Sequence, residues 1–374
     1  MSLSVPADPA SARSLTDVMP HMVASLSGHD DWLPPAQSAI VFVVDGLGRF
    51  NLTSRAGHAR FLVGAMAKRD IAHTVFPSTT AAALTSLLTG QGPGRHGIVG
   101  YRVRIPGTDE APNQLKGWES HGLDPHSWQR AQPIFEREHG RPCFVVTKSE
   151  YAGTGFTEAI LRGAEFVAAD DLDERVQQAA ELAARHPGAL IYLYANELDA
   201  LGHRHGWESD AWSAGLERVD AAARRLAQLA SPRTGVVVTA DHGMVDVPRH
   251  RHLLLREGDG LTDGVRVFGG EPRMLHLYAD PDRAAAVHAA WLASEGDRSW
   301  VFTRDEAMQA GLFGPTDAEV IPRIGDVIVA ARAGVAYYDD RGADKASQKM
   351  VGQHGSMTSE ERIVPLIRLG AYAG

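Results

Sequence analysis

Ala39-Ile40-Val41-Phe42-Val43-Val44-Asp45-Gly46-Leu47-Gly48 is the stretch on which the fold turns. An unbroken run of β-branched and aromatic residues, with no polar residue alternating through it, predicts a strand covered on both faces, as in a parallel sheet. The run stops at a carboxylate followed by glycines. Ligands of open α/β sheets bind just beyond the carboxyl ends of the strands, so Asp45 stands where chemistry is expected.

The same kind of apolar run recurs outward from this stretch. Residues 71–76, 142–147, 189–194, 235–240 and 363–369 read as further strands, and 61–66, 128–138, 171–185 and 209–229 as helices. Another helix runs through Leu88, with Ser78 as its expected cap. Strands roughly 40 to 50 residues apart with helices between them predict an α/β fold with a mostly parallel central sheet flanked by helices on both faces. After His242 the elements shorten and turn chemistry such as Gly258-Asp259-Gly260 enters. Expected strands at 265–268, 274–278 and 327–338, with a helix at 282–293, suit a smaller mixed lobe. With no long linker in the chain, this lobe is expected to be inserted at about 245–350 in a single domain spanning 1–374.

Composition narrows the class of partner. The 374 residues carry 46 acidic and 37 basic side chains, a net charge of -9, which argues against nucleic acid or an anionic membrane as the main partner. The single cysteine, Cys143, lies in an apolar run and can form neither an internal disulfide nor a cysteine zinc site. No basic segment followed by an apolar core opens the sequence, and no run reaches the ~18 apolar residues of a membrane span. A soluble, cytoplasmic protein is expected.

Polar residues cluster by position just past the expected strands. Besides Asp45 there are Asp199 with His203, Asp241 with His242, and His354. Three carboxylates and three imidazoles are a ligand set for zinc or a similar transition ion. Asp199 and His203 are four apart, on one helical face. Adjacent ligands at 241 and 242 need irregular backbone, for which Gly243 offers conformational freedom. Each piece also has a plain reading: a turn aspartate, a surface ion pair, a loop histidine. Thr80, at a helix start, could equally be a cap, and its hydroxyl is a poor nucleophile unless something ionises it.

The set as a whole resembles the alkaline phosphatase superfamily, and most closely its nucleotide pyrophosphatase/phosphodiesterase branch. The resemblance rests on Asp45-Gly46, on Phe76-Pro77-Ser78-Thr79-Thr80 with Thr89-Gly90 and His96-Gly97-Ile98, on Asp199 with Gly202-His203 and Gly206, on Asp241-His242-Gly243-Met244 and on His354-Gly355. It implies an alkaline-phosphatase-like fold and two divalent metal ions, zinc or, as the alternative, manganese. Asp45, Thr80, Asp241 and His242 would surround one ion; Asp199, His203 and His354 the other. The distance to Thr89-Gly90 selects Thr80 over Thr79 as the nucleophile. His96 is expected to be a structural turn residue, and His205 lies off the motif.

The implied activity is hydrolysis of phosphodiester or pyrophosphate bonds through a covalent phosphothreonine, on a small phosphate ester or nucleotide-like substrate. Lys148 and Tyr151 are expected substrate contacts, and Phe76 and Tyr101 are further aromatic candidates. By the same resemblance an asparagine holding a phosphoryl oxygen is expected where this chain has Ala83. A phosphomonoesterase or phosphonate C-P hydrolase is the alternative within this chemistry; a non-catalytic, zinc-stabilised binding protein is the alternative outside it.

Overall fold

The computed structural model describes residues 6, 8–9, 11–29, 32–343 and 345–373. The opening stretch forms β1 (Ser38–Val44), all seven of whose residues are buried. It lies at the centre of a seven-stranded sheet with β2 (Ile71–His73), β3 (Cys143–Thr147), β4 (Glu165–Ala168), β5 (Leu190–Ala195), β6 (Thr234–Thr239) and, at the far end of the chain, β15 (Ile363–Gly370), in the order β2-β15-β6-β1-β5-β3-β4. β1 pairs in parallel with β5 and β6, and β15 runs antiparallel to both its neighbours. Because side chains alternate across a strand, full burial of β1 means that both faces are covered. Each large aliphatic side chain buried this way contributes roughly 1.5 to 3 kcal/mol.

Two helices show how the sequence sets the covering layer. Leu172–Arg185 starts where the Asp171 carboxylate accepts from the backbone N-H groups of Asp173 and Glu174, and it buries Leu172, Val176, Ala179, Ala180 and Ala183. Asp210–Leu229 is capped by Ser209 and buries Trp212, Leu216, Val219, Ala223 and Leu226. The three-and-four spacing in both is the apolar stripe of a helix lying on a core.

Between β6 and β15 the chain forms β7 (Val245–Asp246), β8 (His252–Leu255), β9 (Val265–Glu271), β10 (Met274–Ala279), β11 (Ser299–Thr303), β12 (Val327–Ala331), β13 (Ala336–Asp339) and β14 (Gly352–Gln353). Four of them make a separate antiparallel sheet, β11-β12-β10-β9. Together with the helix Ala284–Glu295 this sheet has its own apolar cluster, which includes Leu275, Leu277, Val287, Trp291 and Val329. The small sheet is tied back by Arg273, whose guanidinium makes a two-pronged pair with Glu361 at 2.8 and 2.9 Å and donates to the carbonyls of Ala331, Ala333 and Val335.

Some expectations need correction. Residues 128–138 are not one helix but two short turns, Pro125–Trp128 and Ile134–Arg137. Pro133 disfavours helix in the residue before it, and Arg130 gives its N-H to the His96 carbonyl instead. The strand expected over 71–76 ends at His73. Residues 327–338 divide into β12 and β13, which belong to different sheets. Thr79, not Ser78, occupies the cap position of the helix Thr80–Thr89, and its side chain makes no capping bond; the Ser78 hydroxyl donates to the Ser356 carbonyl.

Candidate metal centre

The strand ends gather the polar residues. Asp45 follows β1 and donates its N-H to the Ala195 carbonyl, so it sits level with the end of β5. The helix Glu197–His205 begins immediately after β5 and carries Asp199 and His203 on one face, with His203 Nε2 3.4 Å from Asp199 Oδ1. Asp241 and His242 follow β6. The short pair β7 and β14, in which Gly352 faces Asp246 and Gln353 faces Val245, then delivers His354 from more than a hundred residues away to a position beside His242. The two imidazoles stack with centroids 3.6 Å apart.

Two glycines in this region answer to close approach. A Cβ on Gly243 would lie 2.0 Å from the Glu360 carbonyl oxygen, so the requirement there is steric and not the backbone freedom expected from sequence. A Cβ on Gly202 would lie 2.2 Å from Met244 Sδ, where the helix of Asp199 packs against the turn after His242.

Two trios result. Asp45, Asp241 and His242 offer ligand atoms that all lie within 4.8 Å of one another, and so do Asp199, His203 and His354. Hydrogen bonding fixes which atoms remain free. His203 Nδ1 lies 2.8 Å from the Gly352 carbonyl, His354 Nδ1 3.0 Å from that of Ser78 and His242 Nδ1 3.1 Å from that of Gly243. Those carbonyls assign the proton to Nδ1 and leave an Nε2 lone pair on each ring facing inward. The carboxylates divide in the same way. Tyr194 donates to Asp45 Oδ2, while Asp241 Oδ1 accepts from the N-H groups of Gly46 and His242. Asp45 Oδ1, Asp241 Oδ2 and Asp199 Oδ1 are buried and have no hydrogen-bond partner.

Lone pairs therefore face lone pairs. His242 Nε2 is 3.4 Å from Asp45 Oδ1 and 3.3 Å from Asp241 Oδ2. Ligands bound about 2.0 to 2.1 Å from a tetrahedral zinc ion lie about 3.3 Å apart, so the separations fit a shared cation. The electrostatics agree. Burial raises the Asp45 carboxyl well above the usual range, and the charges of Asp241 and Asp199 raise it further, against the Tyr194 bond. Burial and the neighbouring His242 and His203 hold His354 well below the ordinary imidazole range, as suits a neutral ligand. Unit charges 4 Å apart interact by about 4 kcal/mol at the effective dielectric of such a site, which a divalent cation would turn from repulsion into attraction.

Thr80 opens the helix Thr80–Thr89, with Oγ1 3.1 Å from His242 Nε2. Its cap, Thr79, makes no side-chain hydrogen bond to the helix, so the first N-H groups lack a capping side chain beside the trios. Ala83, one turn on, is fully buried in the main core and does not line the cleft. A donor at position 83 would point into that core, so the asparagine expected there has no part in this geometry.

A cleft of about 580 Å³ includes Asp45, Thr80, Asp199, His203 and His354 in its walls. Tyr151 and Tyr101 line it, as does the apolar group Leu84, Leu115, Phe156, Ile160 and Leu161. Lys148 does not; its ammonium lies 3.5 Å from Glu197, the carboxylate that also pairs with buried Arg175. Phe76 is a core residue packed on Phe313. His96 is buried with Nε2 2.9 Å from the Ser86 hydroxyl, and His205 is exposed. Sequence reasoning missed Tyr194, Lys116 and Glu271. Tyr194 was readable: one residue from the end of the β5 run, it had to point up or down beside Asp45. Glu271, in Gly269-Gly270-Glu271-Pro272, looks in sequence like any hairpin carboxylate.

Among the described residues no helix is long and apolar enough to cross a membrane. In structure the chain is similar to murine ectonucleotide pyrophosphatase / phosphodiesterase 5, with a TM-score of 0.69 at 18% identity over 89% of this chain and 88% of the other. It is also similar to phosphonoacetate hydrolase from Sinorhizobium meliloti 1021, solved with phosphonoformate, with a TM-score of 0.67 at 20% identity over 90% and 91%. At these identities the likeness is one of fold. In sequence it is 26% identical over 230 residues to ectonucleotide pyrophosphatase/phosphodiesterase 1 of Saccharomyces cerevisiae, a match covering 49% of this chain and 29% of that relative. Residues 39–357, which hold all six expected histidine and aspartate ligands, match the family described as type I phosphodiesterase / nucleotide pyrophosphatase, and the chain belongs to that family.

Proposed function

We propose that the protein is a metal-dependent hydrolase of phosphodiester or pyrophosphate bonds in a small nucleotide-like substrate, with Thr80 as its nucleophile. The observation that carries this reading is the pair of trios whose free oxygens and Nε2 lone pairs converge beside the Thr80 hydroxyl. Asp45, Asp241 and His242, with Thr80, would hold one divalent ion, and Asp199, His203 and His354 the other. Such a pair supplies Lewis-acid stabilisation of phosphoryl charge and lowers the pKa of a bound hydroxyl or water. Zinc suits the mixed imidazole and carboxylate donors, with manganese as the alternative.

The chain's own residues do the rest. Thr80 Oγ1 attacks phosphorus, forming an Oγ–P bond while the bond to the leaving oxygen breaks. Water then cleaves the phosphothreonine from the opposite side and restores the hydroxyl. The N-H groups at the start of Thr80–Thr89 and the carbonyl-fixed imidazoles hold charge and geometry without rearranging, which is where most of the acceleration of phosphoryl transfer arises. The apolar wall and Tyr151 suit the second substituent of a diester. A murine relative solved in complex with AMP supports a nucleotide-like ligand.

A phosphonate or phosphomonoester substrate is the second reading, favoured by Lys116, an exposed ammonium on the cleft wall that could take an additional anionic group. Turnover of bis-nitrophenyl phosphate against the mono-ester and phosphonoacetate, with zinc or manganese, decides between them; diester turnover at least about tenfold the higher is expected. We further propose that residues 245–350 form an inserted lobe of one catalytic domain and that the protein is cytoplasmic, the latter testable by cell fractionation.

A further inference from the structure

Glu271 ends β9 and lines the same cleft as Thr79 and Thr80. It is only 6% exposed, yet both its carboxyl oxygens are buried without a hydrogen-bond partner. Arg273, two residues on, is committed to Glu361. The carboxyl is wedged against the backbone one residue beyond His354: a Cβ on Gly355 would lie 2.5 Å from Glu271 Cγ and 3.0 Å from Oε1. Beside it is the buried hydroxyl of Thr79, too poorly placed for a hydrogen bond of good geometry but close enough to act on the carboxyl as a donor. A carboxyl kept for stability alone would not be left buried with neither a cation nor a well-placed donor to satisfy it.

We propose that Glu271, a buried carboxyl in the cleft wall with no cation to pair with, is a phosphoryl-binding residue that donates a hydrogen bond to a non-bridging oxygen of the substrate, beside the start of the helix Thr80–Thr89. This rests on the reading of Thr80 as the point of phosphoryl transfer. A carboxyl buried without a cation favours its neutral form; burial, opposed by the Thr79 hydroxyl and reinforced by the charge of Glu361, pushes Glu271 the same way, up to about 8. Its charged and titratable neighbours are the Arg273–Glu361 pair, Tyr101 across the cleft, and His354 beside Gly355. An ionised Glu271 would repel a phosphate; a protonated one offers the donor that the metal trios, made of acceptors, lack.

The test compares wild type, Glu271→Gln and Glu271→Met, all loaded with metal, for calorimetric binding of inorganic phosphate at pH 7 and for diester turnover. Glutamine keeps the size and an N-H donor; methionine keeps the packing without a donor. Glu271→Gln is expected to bind phosphate within about threefold of wild type, and Glu271→Met at least about tenfold more weakly, at equal metal content. Equal binding by the methionine variant overturns the proposal. So does a glutamine variant that fails as badly as methionine, or one that loses an equivalent of metal, which would make Glu271 a cation ligand. If phosphate binding depends on the donor but no diester is cleaved, the proposed function falls and this assignment stands; if diesters are cleaved equally well with methionine at 271, the reverse holds.

Discussion

Tyr194 and Glu271 show how single residues set the chemistry of the cleft. The Tyr194 phenol occupies one Asp45 oxygen and thereby turns the other toward His242. Tyr194→Phe is expected to keep the fold and to weaken metal binding at that trio about 10- to 100-fold, read by competition with a chelator. Glu271 makes a prediction about stability. Its folded-state pKa of about 8 lies above the ordinary value of 4.5, so its contribution is fully present below pH 4.5 and is lost as pH rises through 8. Relative to wild type, Glu271→Gln should therefore gain a few kcal/mol at pH 9 that it does not gain at pH 4, measured by denaturant unfolding in chelator. The carboxylates and imidazoles that the structure gathers into two trios were legible in the sequence because their types are few and their places follow apolar runs. Glu271 was not, because burial and the lack of a partner are tertiary facts.

Elements explain why some boundaries were readable and others not. Continuous apolar runs marked β1, β5 and β6, and the helical patterns at 171–185 and 209–229 start where the structure puts the side-chain caps Asp171 and Ser209. The two-residue pair β7 and β14 gave no periodic signal, yet it carries His354 to His242. Such a pair is held by what surrounds it and not by propensity. The turn after β6 depends on Gly243 in the same way, because the Cβ of any other residue would meet a backbone carbonyl that no rotamer change can move. Gly243→Ala is expected to displace Asp241 and His242, destabilise by about 1 to 3 kcal/mol and lower the bound metal to less than one ion at the Asp45 trio, measured by unfolding and by elemental analysis.

The whole molecule places one centre where a mostly parallel sheet and a smaller antiparallel sheet meet. Arg273 and Glu361 pin that junction: the arginine is 1% exposed and Glu361 fully buried, and Glu361 also accepts from the Ser356 N-H and the Thr358 hydroxyl close to His354. Removing one partner strands a buried charge, so Arg273→Ala should cost about 3 to 5 kcal/mol in unfolding experiments and weaken metal at the His354 trio. The role of Thr80 as nucleophile is decided by the metal content and diester turnover of Thr80→Ala. Thr80→Ala is expected to be folded, with both ions bound and turnover of bis-nitrophenyl phosphate reduced at least about a thousandfold. Turnover equal to wild type at the same metal content would contradict it.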